Sequence, residues 1–193
     1  MAIAASAASG GTGQAQPSEE TGPAAPDEVP GGARRRRALL VSLVVAVAAL
    51  DQFTKVWAVG RLVPGQRVDL VGSVFGLRLV FNPGAALSMG ESATVVVTVL
   101  AAVVVVAAMW WAWQVRSTWW LVMVGVLVGG AVGNLGDRFF RAPGPGRGHV
   151  VDFLDYGVFV GNVADIAIVV AGVAIVLLVW REVPTGRRQG RAR

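Results

Sequence analysis

The sequence predicts an α-helical integral membrane protein with four spans and a small extracytoplasmic β element between the first and second. Three observations carry that prediction. The chain has 193 residues, 54% hydrophobic and only 15% charged, outside the composition of an ordinary soluble domain. Four apolar runs are long enough to cross a hydrocarbon core as helices. Arginines cluster just outside the first and last of them, as topology signals do.

Residues 1 to 33 are rich in Ala, Gly, Pro, Ser and Glu and cannot bury enough apolar surface to offset the entropy of ordering. The reading is a disordered cytoplasmic segment over 1–37 that ends in the basic block Arg34 to Arg37. It lacks the apolar core of a signal peptide. The first span follows at residues 38 to 60, and the four arginines before it place the N-terminus in the cytoplasm.

Residues 61 to 92 form the next extramembrane segment. Val68, Leu70, Leu77, Leu79 and Phe81 alternate with polar or small residues around Gly72-Ser73, which predicts a short β-hairpin closed by Asn82-Pro83-Gly84. A connector of this length is given something to hold, and a substrate platform is the reading.

The second and third spans are expected at 93–114 and 118–136, joined by a link containing Arg116. Trp110, Trp111, Trp113, Trp119 and Trp120 crowd that link and read as an aromatic belt at the headgroup level. Residues 138 to 162 read as a second outer loop around Pro143-Gly144-Pro145-Gly146. The fourth span runs from about 163 to 181. An even number of spans returns the C-terminus to the cytoplasm, and the basic segment 183–193 agrees. By compartment, Arg and Lys number ten on the cytoplasmic side against six outside. The core domain is therefore 38–182.

Composition also excludes chemistries. With no cysteine and a single histidine, His149, there is no disulfide framework, thiolate zinc site, cysteine nucleophile or multi-histidine metal centre. No metal or organic cofactor is expected. The net charge of +5 is read as topology rather than as a nucleic-acid surface, so no nucleic-acid partner is expected.

Topology brings the polar residues to one level. Asp51 and Lys55 lie four apart near the outer end of the first span and can pair. Asn134, Asp137 and Arg138 share one face at the outer end of the third. Asn162 and Asp165 open the fourth. Each has a plain structural reading: Asp51 with Lys55 as a packing ion pair, Asp137 paired with its neighbour Arg138, Asp155 solvated in a loop, His149 an exposed loop residue. Asp152, within HVVDFL, and Asp165, after Val163-Ala164, stand among apolar groups far from cations. Two such carboxylates facing one another share a proton, leaving one acid and one base able to activate water against a peptide carbonyl. A proton- or ion-translocating protein using the same outer-face acids is the alternative, although four spans without a repeat are few for a transporter.

Five motifs in order, DQFTK at 51–55, FNPGAALS at 81–88, GGAVGNLGDR at 129–138, GHVVDF at 148–153 and NVAD at 162–165, make the chain resemble the lipoprotein signal peptidases (signal peptidase II). These are bacterial membrane aspartic endopeptidases. The resemblance runs from about Ala38 to Trp180. It implies a four-helix peptidase with an outer β-cradle in the plasma (inner) membrane, with both termini cytoplasmic and the active site at the outer face. Diacylglyceryl prolipoproteins would be the substrates, cut on the amino side of the lipidated cysteine. It implies Asp152 and Asp165 as the catalytic pair, Asn82, Asn134, Arg138 and Asn162 as substrate-binding or supporting residues, and Asp51 and Lys55 as a structural pair, with Asp137 also structural. Membrane phospholipid is an expected partner and a monomer the expected state. Three departures stand out: Leu87 where Phe is typical, Gly161 where an aromatic is usual, and only 13 residues from Asp152 to Asp165, which leaves less lid over the site.

Overall fold

The structure, a computed structural model, describes residues 30–84 and 90–186. Most of the segment expected to be disordered, the position of Leu87 and the last seven residues lie outside the described residues. The element order is α1 (Pro30–Arg61), β1 (Arg67–Val71), β2 (Phe75–Asn82), α2 (Gly90–Ala112), α3 (Thr118–Phe140), β3 (Val150–Asp155), β4 (Val160–Gly161) and α4 (Val163–Trp180). All four helices are long and apolar enough to cross a membrane. Helix α1 begins upstream of the expected span, so Arg34 to Arg37 are helical.

Helix α3 is central. Half of its apolar window is buried within the protein, against at most 17% for the other three helices, whose apolar faces point outward. A lipid-exposed helix gains nothing from burial against protein, so close packing here depends on small residues. Gly133 meets that need: a Cβ there would lie 2.5 Å from the Asp51 carboxylate. Helix α3 also runs one turn past the expected end, to Phe140, which puts Asp137 and Arg138 inside the helix.

The end of the bundle where α1 begins and α4 finishes packs Leu40, Ala112, Val115, Trp120, Leu121, Val124 and Val128. Here the aromatic-belt reading needs correction. Trp110, Trp113 and Trp119 are exposed, but Trp120 is buried. Its ring meets Trp111 edge-on at 5.5 Å and its Nε1 donates to the Val183 carbonyl at 2.9 Å. An indole N–H needs a partner once buried, and the chain following α4 supplies it.

At the other end the β1–β2 hairpin forms as expected, with Arg67 opposite Arg78. The second outer segment is not merely a loop: β3 pairs with β2 and β4 with β3, giving one antiparallel sheet in the order β1-β2-β3-β4. Gly148 admits this return, since a Cβ there would lie 2.3 Å from the Asp137 carbonyl. The strand begins two residues later, and the Val151 N–H donates to Asp137 Oδ2 at 3.1 Å.

Candidate active site

Asp152 sits on β3, opposite Val80 of β2, and is buried. Its two carboxylate oxygens accept from two asparagines: Oδ2 from Asn82 Nδ2 at 2.8 Å and Oδ1 from Asn162 Nδ2 at 2.6 Å. Burial pushes its carboxyl above the ordinary range, against the pull of those two donors. The charged form is poorly solvated there, and that outweighs the hydrogen bonds.

Asp165 is placed by the start of α4. Asn162 is the N-cap, accepting from the Asp165 N–H through Oδ1 at 3.0 Å, while Asp165 Oδ2 accepts the Asn162 main-chain N–H at 3.0 Å. This reciprocal capping box satisfies two otherwise orphan N–H groups and sets a carboxylate at the positive end of a helix. The second oxygen, Oδ1, accepts from Asn134 Nδ2 at 3.0 Å. Asn162 therefore touches both acids, Asp152 with its side chain and Asp165 with its backbone.

Each asparagine is held in one orientation by a donor on its oxygen. Asn82 Oδ1 accepts the Gly84 N–H at 2.8 Å, Asn134 Oδ1 accepts Lys55 Nζ at 2.9 Å, and Asn162 Oδ1 accepts from Asp165. With the oxygens occupied, the three amide nitrogens face the two carboxylates, as an amide's fixed donor and acceptor ends require.

Behind them lies a buried charge cluster. Lys55 contacts Asp51 and Asp137, each at 2.8 Å, with all three side chains inaccessible to solvent. Asp51 Oδ1 also accepts the Ala164 N–H at 3.0 Å, tying α1 to the first turn of α4. The ion partners of Asp137 are Lys55 and Arg141 (2.5 Å to Nε), in place of the pairing with Arg138 expected from adjacency. Spacing of four along a helix was the signal for Arg141. Arg138 donates to the Asn134 carbonyl at 3.4 Å, and its charge bears on Asp152, Asp137 and Asp165.

Two expectations are corrected. Asp155 is not solvated; it is buried on β3, 3.0 Å from Arg78 Nε and 3.8 Å from Arg67 Nε. His149 is partly buried and its main-chain N–H donates to Ala142. Sequence reasoning also missed Gln52, whose Nε2 donates to the Gly133 carbonyl at 2.9 Å and Asp137 Oδ1 at 3.2 Å, although it lies inside the DQFTK motif.

The short connection between the strands is a tight turn, with the Tyr156 N–H donating to the Phe159 carbonyl at 2.9 Å and the two rings stacked 4.8 Å apart. They border an apolar groove of about 220 Å³ that Asp165, Ile166, Val169 and Val170 complete. Burial raises the Tyr156 phenol, with a smaller contribution from Asp165. At Gly161, the usual aromatic would crowd the site: a Cβ would lie 3.0 Å from Asp165 Oδ2 and 3.4 Å from the Phe159 ring, so these neighbours would have to give way slightly.

A family model described as signal peptidase (SPase) II matches residues 43–181. The lipoprotein signal peptidase of Mycobacterium avium (strain 104) is 49% identical over 163 residues, covering 84% of this chain and 88% of that protein. That of Mycobacterium tuberculosis (strain ATCC 25618 / H37Rv) is 48% identical over 171 residues, covering 86% and 84%. That of Rhodococcus jostii (strain RHA1) is 43% identical over 158 residues, covering 81% and 80%. A bacterial membrane enzyme solved by the in meso method at 1.9 Å superposes with a TM-score of 0.65 over 74% of this chain and 93% of its own, at 20% identity. At that identity the superposition speaks for the fold alone.

Proposed function

The chain belongs to the signal peptidase II family, and from that premise we propose that Asp152 and Asp165 are the dyad with which it removes signal peptides from diacylglyceryl-modified prolipoproteins. The cut falls on the amino side of the lipidated cysteine. The observation that carries the assignment is Asn162, which donates to both carboxylates and so ties the two acids to one residue.

The charge of Asp165 acts on Asp152, and two carboxylates coupled in this way share one proton. The ionised one takes a proton from water as the water oxygen bonds to the scissile carbonyl carbon. The protonated one donates to the carbonyl oxygen. Collapse of the tetrahedral adduct breaks the C–N bond, the leaving amine takes a proton, and the dyad ends with the single proton it began with. Asn82, Asn134, Arg138 and Asn162 support the acids and bind substrate, while Asp51, Lys55 and Asp137 tie the helix ends together. No metal or cofactor takes part.

The peptidase domain spans 38–182, flanked by cytoplasmic segments 1–37 and 183–193, and the enzyme acts as a monomer at the outer face of the plasma membrane. Phospholipid surrounds the apolar groove beside Asp165, where lipid-bearing substrates arrive. The ion-translocating alternative is not favoured by relatives that are peptidases. The deciding experiment makes Asp152→Asn and Asp165→Asn separately and follows processing of a diacylglyceryl prolipoprotein in membranes. Each change is expected to abolish cleavage with insertion intact. Wild-type processing by either variant would remove that residue from the dyad.

A further inference from the structure

An ammonium group has three donors and no acceptor. All three of those on Lys55 are engaged: two on Asp51 and Asp137, the third on Asn134 Oδ1 at 2.9 Å. Two carboxylates would have sufficed for a packing ion network. The third bond has a consequence for the site, because a group that can only donate forces Asn134 to present its oxygen to Lys55 and its Nδ2 to Asp165 Oδ1. Drawing electron density from the amide oxygen makes that N–H a stronger donor. The other oxygen of Asp165 accepts from the main-chain N–H of Asn162, the N-cap of α4. Among the described residues, Asp152 accepts from the amides of Asn82 and Asn162, whose own oxygens are bound by main-chain N–H groups rather than by a cation.

We propose that Lys55 is a positioning residue for catalysis: acting through Asn134, it fixes Asp165 as the ionised member of the dyad and leaves the shared proton on Asp152. Asp165 is then the base that takes the proton of water, and Asp152 the acid that protonates the carbonyl oxygen and recovers that proton when the C–N bond breaks. The effect of burial on Asp152 acts in the same direction. Other charged or titratable groups bear on the pair as well: Arg138 from α3 on both acids, Tyr156 from the β3–β4 turn on Asp165, each acid on the other, and the Lys55 charge from α1 on Asp152, where it opposes the effect of burial. Among the described residues, Lys55 is the one joined to Asp165 by an intervening side-chain amide.

The inference rests on the dyad assignment above, and two variants test it separately from that assignment. Asn134→Ala removes the relay and keeps both ion pairs of Lys55. The triple variant Lys55→Met, Asp51→Asn, Asp137→Asn removes the cation without leaving its carboxylates buried and unpaired. The readout is the acid limb of kcat/KM against pH for cleavage of a diacylglyceryl prolipoprotein. Both variants are expected to move that limb to higher pH by about one unit, because the ionised base has lost a charge-assisted donor. A purely structural cluster gives a different sign: the triple variant removes one positive and two negative charges, and that net change alone moves the limb to lower pH.

A limb that stays in place or moves down in Asn134→Ala overturns the proposal, and so does the same result in a folded triple variant. Where cleavage is too slow to profile, the carboxylate infrared band that disappears in Asp165→Asn is titrated instead. It is expected to persist to lower pH in the parent than in Asn134→Ala, and equal persistence overturns the proposal. Retained cleavage by Asp165→Asn would sink the dyad itself. An unmoved limb with Asp165→Asn inactive removes only the role given to Lys55.

Discussion

Both ends of the Asn162 amide are in use, the oxygen as the N-cap of α4 and the nitrogen on Asp152. The two jobs separate in Asn162→Ser. Serine caps a helix about as well as asparagine, so stability should stay within about 0.5 kcal/mol. Its hydroxyl is too short to serve Asp152 as well, and losing the hydrogen bond that orients this acid should cost cleavage about tenfold. Thermal unfolding beside a cleavage assay in detergent checks both halves, and unchanged cleavage would show that the donor is dispensable. Asp152 also has a pH signature. Its carboxyl is raised by burial in the folded state, so it adds stability when protonated, fully present below the ordinary carboxylate range and lost as pH rises through the raised value. The stability of Asp152→Asn relative to wild type should therefore grow as pH rises above the ordinary carboxylate range, about pH 4. A flat difference in melting temperature over that rise would contradict the effect of burial. Asp152 and Asp165 could be singled out in the sequence because apolar neighbours surround them locally. Asp155, identical in type, was misjudged because the arginines beside it, Arg67 and Arg78, come from the other outer segment.

That difference between local and distant partners recurs among the elements. The four spans are recoverable from apolar length alone, and the β1–β2 hairpin from alternation and a turn, since each signal lies within its own stretch of chain. Strand β3 carries neither. Five of its six residues, VVDFLD, are buried, and a strand covered on both faces does not alternate. Its partner β2 lies across a pair of helices in sequence, so only the assembled sheet reveals that half the dyad stands on a strand rather than a loop. The charge pairs on the opposite face of β3 from Asp152 brace that sheet. Asp155→Ala should destabilise by about 1 to 2 kcal/mol: removing one side of a buried pair costs more, but both arginines are partly solvated and screened. Because the sheet carries Asp152, protection of the β3 amides from hydrogen exchange should fall in step with cleavage. Full protection with full activity would mean the cluster is not a brace.

At the scale of the whole molecule, the arginine block that opens α1 and Arg116 stand at one end and the proposed dyad at the other. Arg37 lies over the Trp113 ring at 5.9 Å, and the Thr185 carbonyl accepts the Arg116 and Ser117 N–H groups at 3.1 and 3.2 Å, so the start of α1, the α2–α3 link and the chain after α4 meet at one end. The sheet and both dyad residues occupy the other. The positive-inside rule predicts that such a molecule sits with the proposed dyad outward, within reach of the lipid-anchored substrate proposed for it. The absence of cysteine makes the test clean, because each introduced thiol is the only one in the chain. Val158 in the β3–β4 turn is 90% exposed, and Pro184 lies beyond α4 at the basic end and is also exposed. In intact cells stripped of outer barriers, Val158→Cys should react with a membrane-impermeant maleimide. Pro184→Cys should react only after permeabilisation. The reverse pattern would put the dyad on the cytoplasmic side, away from the lipidated cysteine it is proposed to serve, and the positive-inside bias of this chain would then have been outweighed by something other than its arginines.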